Sequence, residues 1–155
     1  MISRVERGES SPTAVLLERL SAGLRTTLAA LFDAPAATAT SPLQRRANQV
    51  SWRDPQSGYV RRNLSPSAIG SPLRLVEVTF PAGARVTYEA PPEGATRIDQ
   101  QVWVMAGVIE IGVGHVKHRL EAGDCLAMQL DAPVFFRNPT RKPAHYLVAV
   151  TTNKS

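Results

Sequence analysis

The chain from about residue 44 onward is divided by turn-forming residues into short apolar or alternating segments. The segments that fit β-strands are residues 73–80, 85–89, 101–105, 108–113, 118–120, 125–129, 134–136 and 146–150. Clusters such as Pro81-Ala82-Gly83 and Asp131-Ala132-Pro133 separate them and favour turns. Many short strands at this spacing are typical of an all-β sandwich or barrel. An apolar content of 43% is enough for the core of one such domain.

Residues 1–34 have a helical pattern instead. Residues 2–7 continue a helix that Gly8 ends, as a glycine after a helix commonly does. Ser11 as N-cap and Pro12 in the first turn predict a second helix over 12–24, and Thr26 is predicted to cap a last short helix. The apolar stripe of the second helix comprises Leu16, Leu17, Leu20 and Leu24. Residues 35–44 are mostly small and unpatterned, which is a linker composition.

The order of the turns in the second part is more specific than the number of strands. Residues 100–107 form a strand that closes on Gly107, Leu120-Glu121-Ala122-Gly123-Asp124-Cys125 follows after a short hairpin, and residues 133–138 end the series. This order resembles the cupin family over roughly residues 70–151. The resemblance implies a mainly β fold, the double-stranded β-helix or jelly roll, here placed at residues 45–152.

Residues 1–13 resemble the end of the DNA-reading helix of the XRE-type (lambda-repressor-like) helix-turn-helix domain and the start of its next helix. No capping residue precedes Ile2, and the two preceding helices of that domain are absent from the sequence. We therefore expect a partial helix-turn-helix at residues 1–34, from a start within a longer regulator. The resemblance implies DNA contacts by Ser3, Arg4 and Arg7.

The resemblance also implies where a cupin metal site would lie, and the residues there are not metal ligands. The glutamate of the first motif corresponds to Gln100, the paired histidines to residues 89–96, which contain no histidine, and the histidine of the second motif to Val134. The histidines of this chain are His115, His118 and His145, at other positions. We therefore predict a barrel without metal or cofactor.

The interior of the predicted barrel is the candidate ligand site. Strand alternation places Gln100 and Val102 on one face and Gln101 and Trp103 on the other. An apolar wall with a few polar groups is typical of an effector pocket. The residues predicted to bind a ligand are Glu89, Gln100, Val102, Val104, Met128, Val134 and Phe136. The alternative is that these side chains only pack a core.

No catalytic constellation is evident. Tyr88 with Glu89, or Asp99 near Gln100, could act as acid–base groups in principle, but isolated pairs of this kind are more typical of solvated polar residues. We therefore predict a protein that is not an enzyme. Trp103, on the outer face, is open to two interpretations: a dimer contact, or packing under the N-terminal segment.

The net charge of +5 is concentrated in the middle of the chain. Residues 35–70 carry five arginines against Asp54, so this segment has a charge of +4. These arginines either contact phosphate or keep a linker and an edge strand solvated. Cys125, the single cysteine, lies in an apolar run and is expected to be buried. The sequence has no signal peptide and no apolar stretch of membrane-spanning length, which favours the cytoplasm.

Together these features predict a cytoplasmic transcriptional regulator that binds DNA, senses an unknown small-molecule effector through its barrel and forms a homodimer. Two alternatives remain open at this point. One is a metal-free enzyme of the epimerase or isomerase kind, and the other is a barrel that serves only for dimerisation.

Overall fold

A computed structural model describes residues 12–32, 41–66 and 70–153 of the chain. The predicted DNA contacts Ser3, Arg4 and Arg7, the first helix, the Ser11 cap and most of the predicted linker lie outside the described residues. No helix in the described part of the chain is both long and apolar enough to cross a membrane.

The larger of two antiparallel sheets has six strands. In chain order its strands are β1 (Ser51–Arg53), β2 (Val60–Asn63), β3 (Leu73–Phe80), β5 (Arg97–Ala106), β8 (Cys125–Gln129) and β10 (Ala144–Asn153). The spatial order is β1-β2-β3-β10-β5-β8, so β10 lies between β3 and β5 and pairs with both. Strand β8 forms one edge of this sheet and β1 the other.

The smaller sheet has four strands and faces the first. Its strands are β4 (Arg85–Tyr88), β6 (Ile109–Val113), β7 (Val116–Leu120) and β9 (Val134–Arg137), in the spatial order β4-β9-β6-β7. One continuous core joins the inner faces, and its fully buried side chains include Val76, Phe80, Val102, Val104, Ile109 and Ile111. This arrangement confirms the predicted mainly β jelly roll.

Sequence patterning located the later strands well and missed the first two. The predicted boundaries of 73–80 and 125–129 agree with β3 and β8, and the other six predicted segments each lie on a strand. Strands β1 and β2 were not predicted, because each is only three or four residues long and is rich in arginine. They join through the turn that contains Asp54, and β2 then pairs with β3.

Asn138, at the end of the second cupin-like motif (residues 133–138), connects that motif to the turn after β3. Its side chain is fully buried, and its amide donates to the carbonyl oxygens of Phe80 (3.2 Å) and Lys142 (2.7 Å). Its backbone exchanges hydrogen bonds with the turn after β3, at Gly83 and Ala84. An asparagine can satisfy donors and acceptors from several loops at one buried point, which explains its place in the turn.

One α-helix, α1 (Ala14–Gly23), precedes the barrel in the described part of the chain. Its N-cap is Thr13, whose hydroxyl accepts from the backbone N–H of Leu16 at 3.2 Å. The predicted cap at Thr26 is wrong: the Thr27 hydroxyl accepts from Ala30 N–H at 3.0 Å and starts a 3₁₀ turn, Ala30–Phe32.

The predicted leucine stripe coincides only in part with the buried face of α1, which comprises Ala14, Leu17 and Ser21. Leu17 is buried, but Leu24 is 68% exposed. Ala14 and Val15 pack against the barrel core. Of the predicted stripe, Leu17 lies on the buried face, Leu16 and Leu20 are half-buried, and Leu24 follows the end of the helix.

Asp54 anchors α1 to the barrel. Its buried carboxylate, in the turn between β1 and β2, accepts from Ala14 N–H of the helix at 3.1 Å and from Ser57 N–H of its own turn at 3.0 Å. The Asn63 side chain in β2 donates to the carbonyl of Ala29, at 2.9 Å. The N-terminal segment is therefore hydrogen-bonded to the two strands that the sequence patterning missed.

Candidate functional site: a cavity roofed by α1

A cavity of about 430 Å³ lies between the two sheets and beneath α1. Its walls are mainly apolar and come from both inner faces; they include Val76, Val78, Phe80, Val134, Val148 and Val150. The helix and the segment after it form the roof, with Val15, Glu18, Ala22 and residues 25–29. Cavities of roughly this size hold small organic ligands in many proteins.

Aromatic rings form an arc around the cavity. Tyr59 stacks on Phe80 with ring centroids 5.7 Å apart, and Phe136 stacks on Tyr146 at 6.1 Å. Tyr88 meets Phe136 edge to face, at 6.3 Å. Packing of this kind holds the rings in place, so the polar atoms they carry have fixed positions.

Arg61 brings a positive charge into this apolar space. It is only 9% exposed and lies on the inner face of β2, opposite Trp52 of β1 and Val78 of β3. Its neighbour Arg62 has the opposite orientation and forms an ion pair with Glu77 on the outer face. The alternation of the strand thus separates two consecutive arginines into an inner and an outer one.

The tyrosine hydroxyls are the other polar groups of the cavity. Those of Tyr59 and Tyr88 are 3.1 Å apart. Burial raises the pKa of Tyr59, and the charge of Arg61 and its hydrogen bond to Tyr59 partly offset this rise. Burial also raises the pKa of Tyr88 and of Tyr146 well above the usual tyrosine value, and the neighbouring Tyr59 adds to both shifts. All three hydroxyls are therefore neutral at physiological pH.

Glu18 is the acidic group that α1 places in the roof. Burial raises the pKa of its carboxyl, and the positive charge of Arg61 lowers it in part. At the rim, Arg19 and Glu89 form an exposed ion pair at 2.8 Å that links α1 to the loop after β4. Exposed ion pairs contribute little stability, about 0–1 kcal/mol, so this pair is a weak tie between helix and barrel.

Four of the seven residues predicted to bind a ligand line the cavity. They are Glu89, Gln100, Val134 and Phe136. Val102, Val104 and Met128 do not line it: both valines are fully buried in the core, deeper along the same strand, and Met128 is buried in β8. Alternation gave the correct face of the strand, but not how far along that face the cavity extends.

The sequence patterning missed the charged and hydroxyl groups of the site. Arg61 was interpreted as part of a solvated or phosphate-contacting segment, and it is buried. Tyr59, Tyr146 and Glu18 were not selected at all. One signal could have found Arg61: the run Asp54-Pro55-Gln56-Ser57-Gly58 is a turn between two short segments that contain aromatic residues, which favours a hairpin.

The residues at the cupin metal positions do not fit a transition-metal ion. Gln100 and Val134 line the cavity, and a valine cannot coordinate a metal. Among residues 12–32, 41–66 and 70–153, no group of three or more His, Cys, Asp or Glu side chains is placed to hold one. His145 lies on the outer side of β10, where its Nδ1 is 3.2 Å from the Thr79 hydroxyl.

The outer face of the larger sheet carries exposed apolar side chains. Trp103 is 46% exposed, and Leu73 and Met105 are also exposed. Trp103 is thus not covered by the described part of the N-terminal segment. Cys125 is exposed too, which corrects the expectation that it is buried. It begins an edge strand, on the same outer side as its neighbour Gln101.

Comparison with known proteins identifies the fold. No protein-family profile matches the chain, and no curated protein sequence matches it. Solved structures do. An HTH_3 family transcriptional regulator from Vibrio cholerae superposes with a TM-score of 0.74 at 22% identity, over 99% of this chain and 80% of that one.

Two further structures match the barrel. The Cupin_2 domain of an XRE family transcriptional regulator from Enterobacter cloacae has a TM-score of 0.55 at 18% identity, over 62% of this chain and 98% of that one. An RmlC-like cupin from Shewanella frigidimarina has a TM-score of 0.55 at 19% identity, over 75% and 94%. The chain therefore has the cupin fold.

Proposed function

We propose that this chain is a cytoplasmic transcriptional regulator whose barrel senses a small molecule and whose N-terminal segment binds DNA. The observation that carries the proposal is the composition of the cavity wall. The sheets supply the floor and sides, and α1 supplies the roof. A ligand there touches the sensor barrel and the helix that follows residues 1–11 in the chain, so it acts on both parts at once.

Coupling of this kind requires that the ligand bind two arrangements of α1 with different affinities. The helix is held to the barrel by the Asp54 hydrogen bond, the exposed Arg19–Glu89 ion pair and small apolar contacts. None of these contacts is extensive. A ligand that adds or removes contacts with Glu18 or Ala22 can therefore change where α1 sits, and with it the DNA-binding segment.

The DNA-binding part of the proposal relies on the XRE-type resemblance of residues 1–34 and on the named regulators among the structural neighbours. The Vibrio cholerae match extends over nearly the whole chain, and that protein is an HTH_3 family regulator. We propose Ser3, Arg4 and Arg7 as the DNA-contacting residues.

We also propose that the protein acts as a homodimer through the outer face of the larger sheet. Leu147 of the central strand lies directly opposite Trp103 of β5, and the exposed Leu73 and Met105 extend the same face. A second copy seated there would bury these side chains, and two-fold symmetry would suit an operator with two half-sites.

We propose a binding function rather than an enzymatic one. The tyrosines of the cavity have raised pKa values, which suits neutral hydrogen-bonding groups rather than a general base. The carboxylates near the cavity are Glu18 in the roof and the rim residue Glu89, which is exposed and paired. A metal-free enzyme of the isomerase kind would need a base aimed at the substrate.

The test uses the whole chain and a DNA duplex that is first selected from a random-sequence pool by its binding to this chain. A metabolite panel is screened by thermal shift, and each metabolite that stabilises the protein is then added during fluorescence-anisotropy titration of the duplex. We expect at least one stabilising metabolite to change the DNA affinity by about fivefold or more.

Two results would contradict the proposal. One is a metabolite that binds the cavity and leaves the affinity for every selected duplex unchanged. The other is a selection that enriches no sequence, with affinity that depends on salt alone, as expected for purely non-specific phosphate attraction. A control titration with Arg4→Ala separates the predicted contact from general charge, because it removes one basic group from the proposed DNA surface.

A further inference from the structure

The charged side chains that line the cavity are paired within the protein or exposed to solvent. The ion pair at the rim, between α1 and the loop after β4, cancels its own charges, and Arg25 is exposed. Arg61 donates a hydrogen bond to Tyr59, and its positive charge favours the ionised form of Glu18. A charged ligand would lose its hydration between these apolar walls without gaining a counter-charge of its own. The cavity is therefore better suited to an uncharged ligand.

Tyr146 supplies a buried polar group to the cavity wall. Its side chain is only 3% exposed, and its ring stacks on that of Phe136. In the part of the chain that the structure describes, its hydroxyl has no hydrogen-bond partner, whereas the hydroxyls of Tyr59 and Tyr88 bond to each other. A buried hydroxyl without a partner is costly, so this position favours a ligand atom that accepts its hydrogen.

Resting on the proposed sensor function, we infer that the effector is an uncharged molecule with an apolar skeleton and a carbonyl group, whose oxygen accepts a hydrogen bond from the Tyr146 hydroxyl. A carbonyl oxygen only accepts, whereas an alcohol or an amide would bring a donor that needs a further partner between the apolar walls. Burial raises the pKa of Tyr146 well above the usual tyrosine value, so the hydroxyl keeps the proton that it donates.

The skeleton of such a molecule has an apolar path along the larger sheet. The inward side chains that follow Tyr146 in β10 are valines that line the cavity. Gln100 lies opposite the last of them, Val150, at roughly 13 Å from Tyr146 along the strand, which is too far to share the same oxygen. Val15 and Ala22 cover the cavity from α1. A bound skeleton would therefore hold α1 on the barrel through apolar contacts.

The experiment compares methyl ketones with carboxylates of the same skeleton. Acetophenone, methyl pentyl ketone and cyclohexyl methyl ketone are titrated into the full chain by isothermal titration calorimetry at neutral pH, beside benzoate, hexanoate and cyclohexanecarboxylate. We expect at least one ketone to bind about tenfold or more tightly than its matching carboxylate, because the carboxylate loses more hydration on entering the cavity.

Two matched variants locate the carbonyl oxygen. Tyr146→Phe keeps the ring and removes the hydroxyl, so it should weaken ketone binding about fivefold and leave the binding of ethylbenzene, which has no carbonyl, unchanged. Thr79→Val removes a hydroxyl from the outer face of the neighbouring strand β3 and should change neither affinity.

Two further measurements keep the test independent of how well the variant folds. Because Tyr146→Phe breaks no hydrogen bond among the described residues, it should not lower the melting temperature measured by circular dichroism. In the wild-type protein, isotope-edited infrared spectroscopy should find the carbonyl stretch of the bound ketone at a lower frequency than in hexane, as expected for a hydrogen-bonded carbonyl.

Carboxylates that bind as tightly as the ketones, ketone affinity that survives Tyr146→Phe in a folded protein, an unshifted carbonyl stretch, or the absence of binding by every ketone at millimolar concentration would each overturn the inference. These results differ from a failure of the proposed function. Charged metabolites that bind the cavity and alter DNA affinity would leave the sensor function standing while excluding the uncharged effector. Ketone binding that depends on Tyr146 but never alters DNA affinity would do the reverse.

Discussion

At the scale of single residues, the cavity is defined by tyrosines and one arginine. The chain has three tyrosines, and Tyr59, Tyr88 and Tyr146 all line the cavity. Burial is the main reason that each has a raised pKa. Each ring is also in contact with a neighbouring aromatic ring, so ionisation would place a charge within a packed apolar wall.

The raised pKa values of the three tyrosines predict how the stability of the protein changes at alkaline pH. A tyrosine whose pKa is higher in the folded state binds more protons there than in the unfolded chain. Its stabilising contribution is complete below the ordinary value of 10.0 and is lost as the pH rises above it. We expect the ultraviolet absorbance of tyrosinate to stay flat through pH 10 and then to rise together with the loss of circular dichroism.

The same titration in concentrated guanidinium chloride is the control, where all three tyrosines should ionise near the ordinary value. A folded protein in which two or more tyrosines titrate near pH 10 would contradict the assignment of their hydroxyls to the barrel interior.

Residue-level features divide clearly into predictable and unpredictable ones. The inward orientation of Gln100 and the outward orientation of Trp103 followed from strand alternation, because the pleat fixes the face of each side chain. The burial of Arg61 and the exposure of Cys125 did not. Both the burial of Arg61 and the exposure of Cys125 depend on which strands lie beside β2 and β8. The local sequence pattern does not predict this, because it is a property of the tertiary structure.

At the scale of elements, the turns after β3 and β5 show how glycine closes a strand. Gly107 has a φ of +81°, and a Cβ at this position would lie 2.6 Å from the Pro143 carbonyl oxygen. Gly83 has a similar φ of +71°, but nothing lies within 4 Å of the corresponding position. The two glycines share a backbone conformation and differ only in how closely other atoms approach.

This difference gives a matched pair of substitutions. Gly83→Ala should lower the free energy of unfolding by about 1–2 kcal/mol, which is the cost of a left-handed conformation with a Cβ. Gly107→Ala should cost about 1–3 kcal/mol more, because the backbone at Pro143 and Ala144 must also move. Urea denaturation measures both, and equal losses would show that the close approach at Gly107 relaxes freely.

A second prediction concerns how α1 is attached. Asp54→Ala removes the acceptor for Ala14 N–H and for Ser57 N–H, and both donors are in buried or partly buried positions. We expect a loss of roughly 2–4 kcal/mol, since these two hydrogen bonds to a charged group disappear together with those from Gln56 N–H and the Ser57 hydroxyl. We also expect faster proteolysis within α1.

Asp124→Ala is the control for this variant. Asp124 also accepts a backbone hydrogen bond in a turn, from Glu121 N–H at 2.8 Å, but it is exposed and holds no helix. Its loss should cost under about 1 kcal/mol and leave proteolysis of α1 unchanged. Similar losses for the two aspartates would contradict the role of Asp54 as the anchor.

The elements were predictable where the pattern is long and apolar. Strand β3 was predicted with its full extent, because eight residues of alternating pattern stand between Pro72 and Pro81. The hairpin β1–β2 was missed because its strands are short and arginine-rich, so burial of one arginine was needed to recognise it. The helix was predicted, but its predicted apolar stripe matches the buried face only at Leu17.

At the scale of the whole molecule, the outer face of the larger sheet bears on assembly. The exposed side chains of Leu73, Trp103 and Met105 lie on the side opposite the cavity. A stable interface buries roughly 1,200–2,000 Å² in total, with aromatic residues near its centre. Trp103 lies opposite Leu147 of the central strand and meets that description.

The dimer proposal predicts a specific variant effect. Trp103→Glu should convert the protein to a monomer in size-exclusion chromatography with light scattering, because it places a charge within the proposed interface. Val116→Glu, at an exposed position on the smaller sheet, is the control and should leave the dimer intact. A wild-type monomer, or a dimer that tolerates Trp103→Glu, would contradict this interface.

The architecture as a whole was predictable from the order of the turns, and the site was predictable only in part. Strand spacing predicts an all-β sandwich or barrel, and the resemblance of the motif order to the cupin family implies the jelly roll. The roof could not be derived in the same way, since it depends on how α1 sits on the mouth of the barrel. The charge of the site comes from Glu18 and Arg61, and both belong to segments outside the motifs.

The location of β10 also determines when the barrel can close during synthesis. This strand runs between β3 and β5 and hydrogen-bonds to both along most of its length, yet it is made after every other strand of the barrel. A nascent chain halted before residue 144 therefore exposes the unpaired edges of β3 and β5 beside an open apolar interior. Such edges recruit strands from other chains, so slow translation near the end of this domain would favour aggregation over folding.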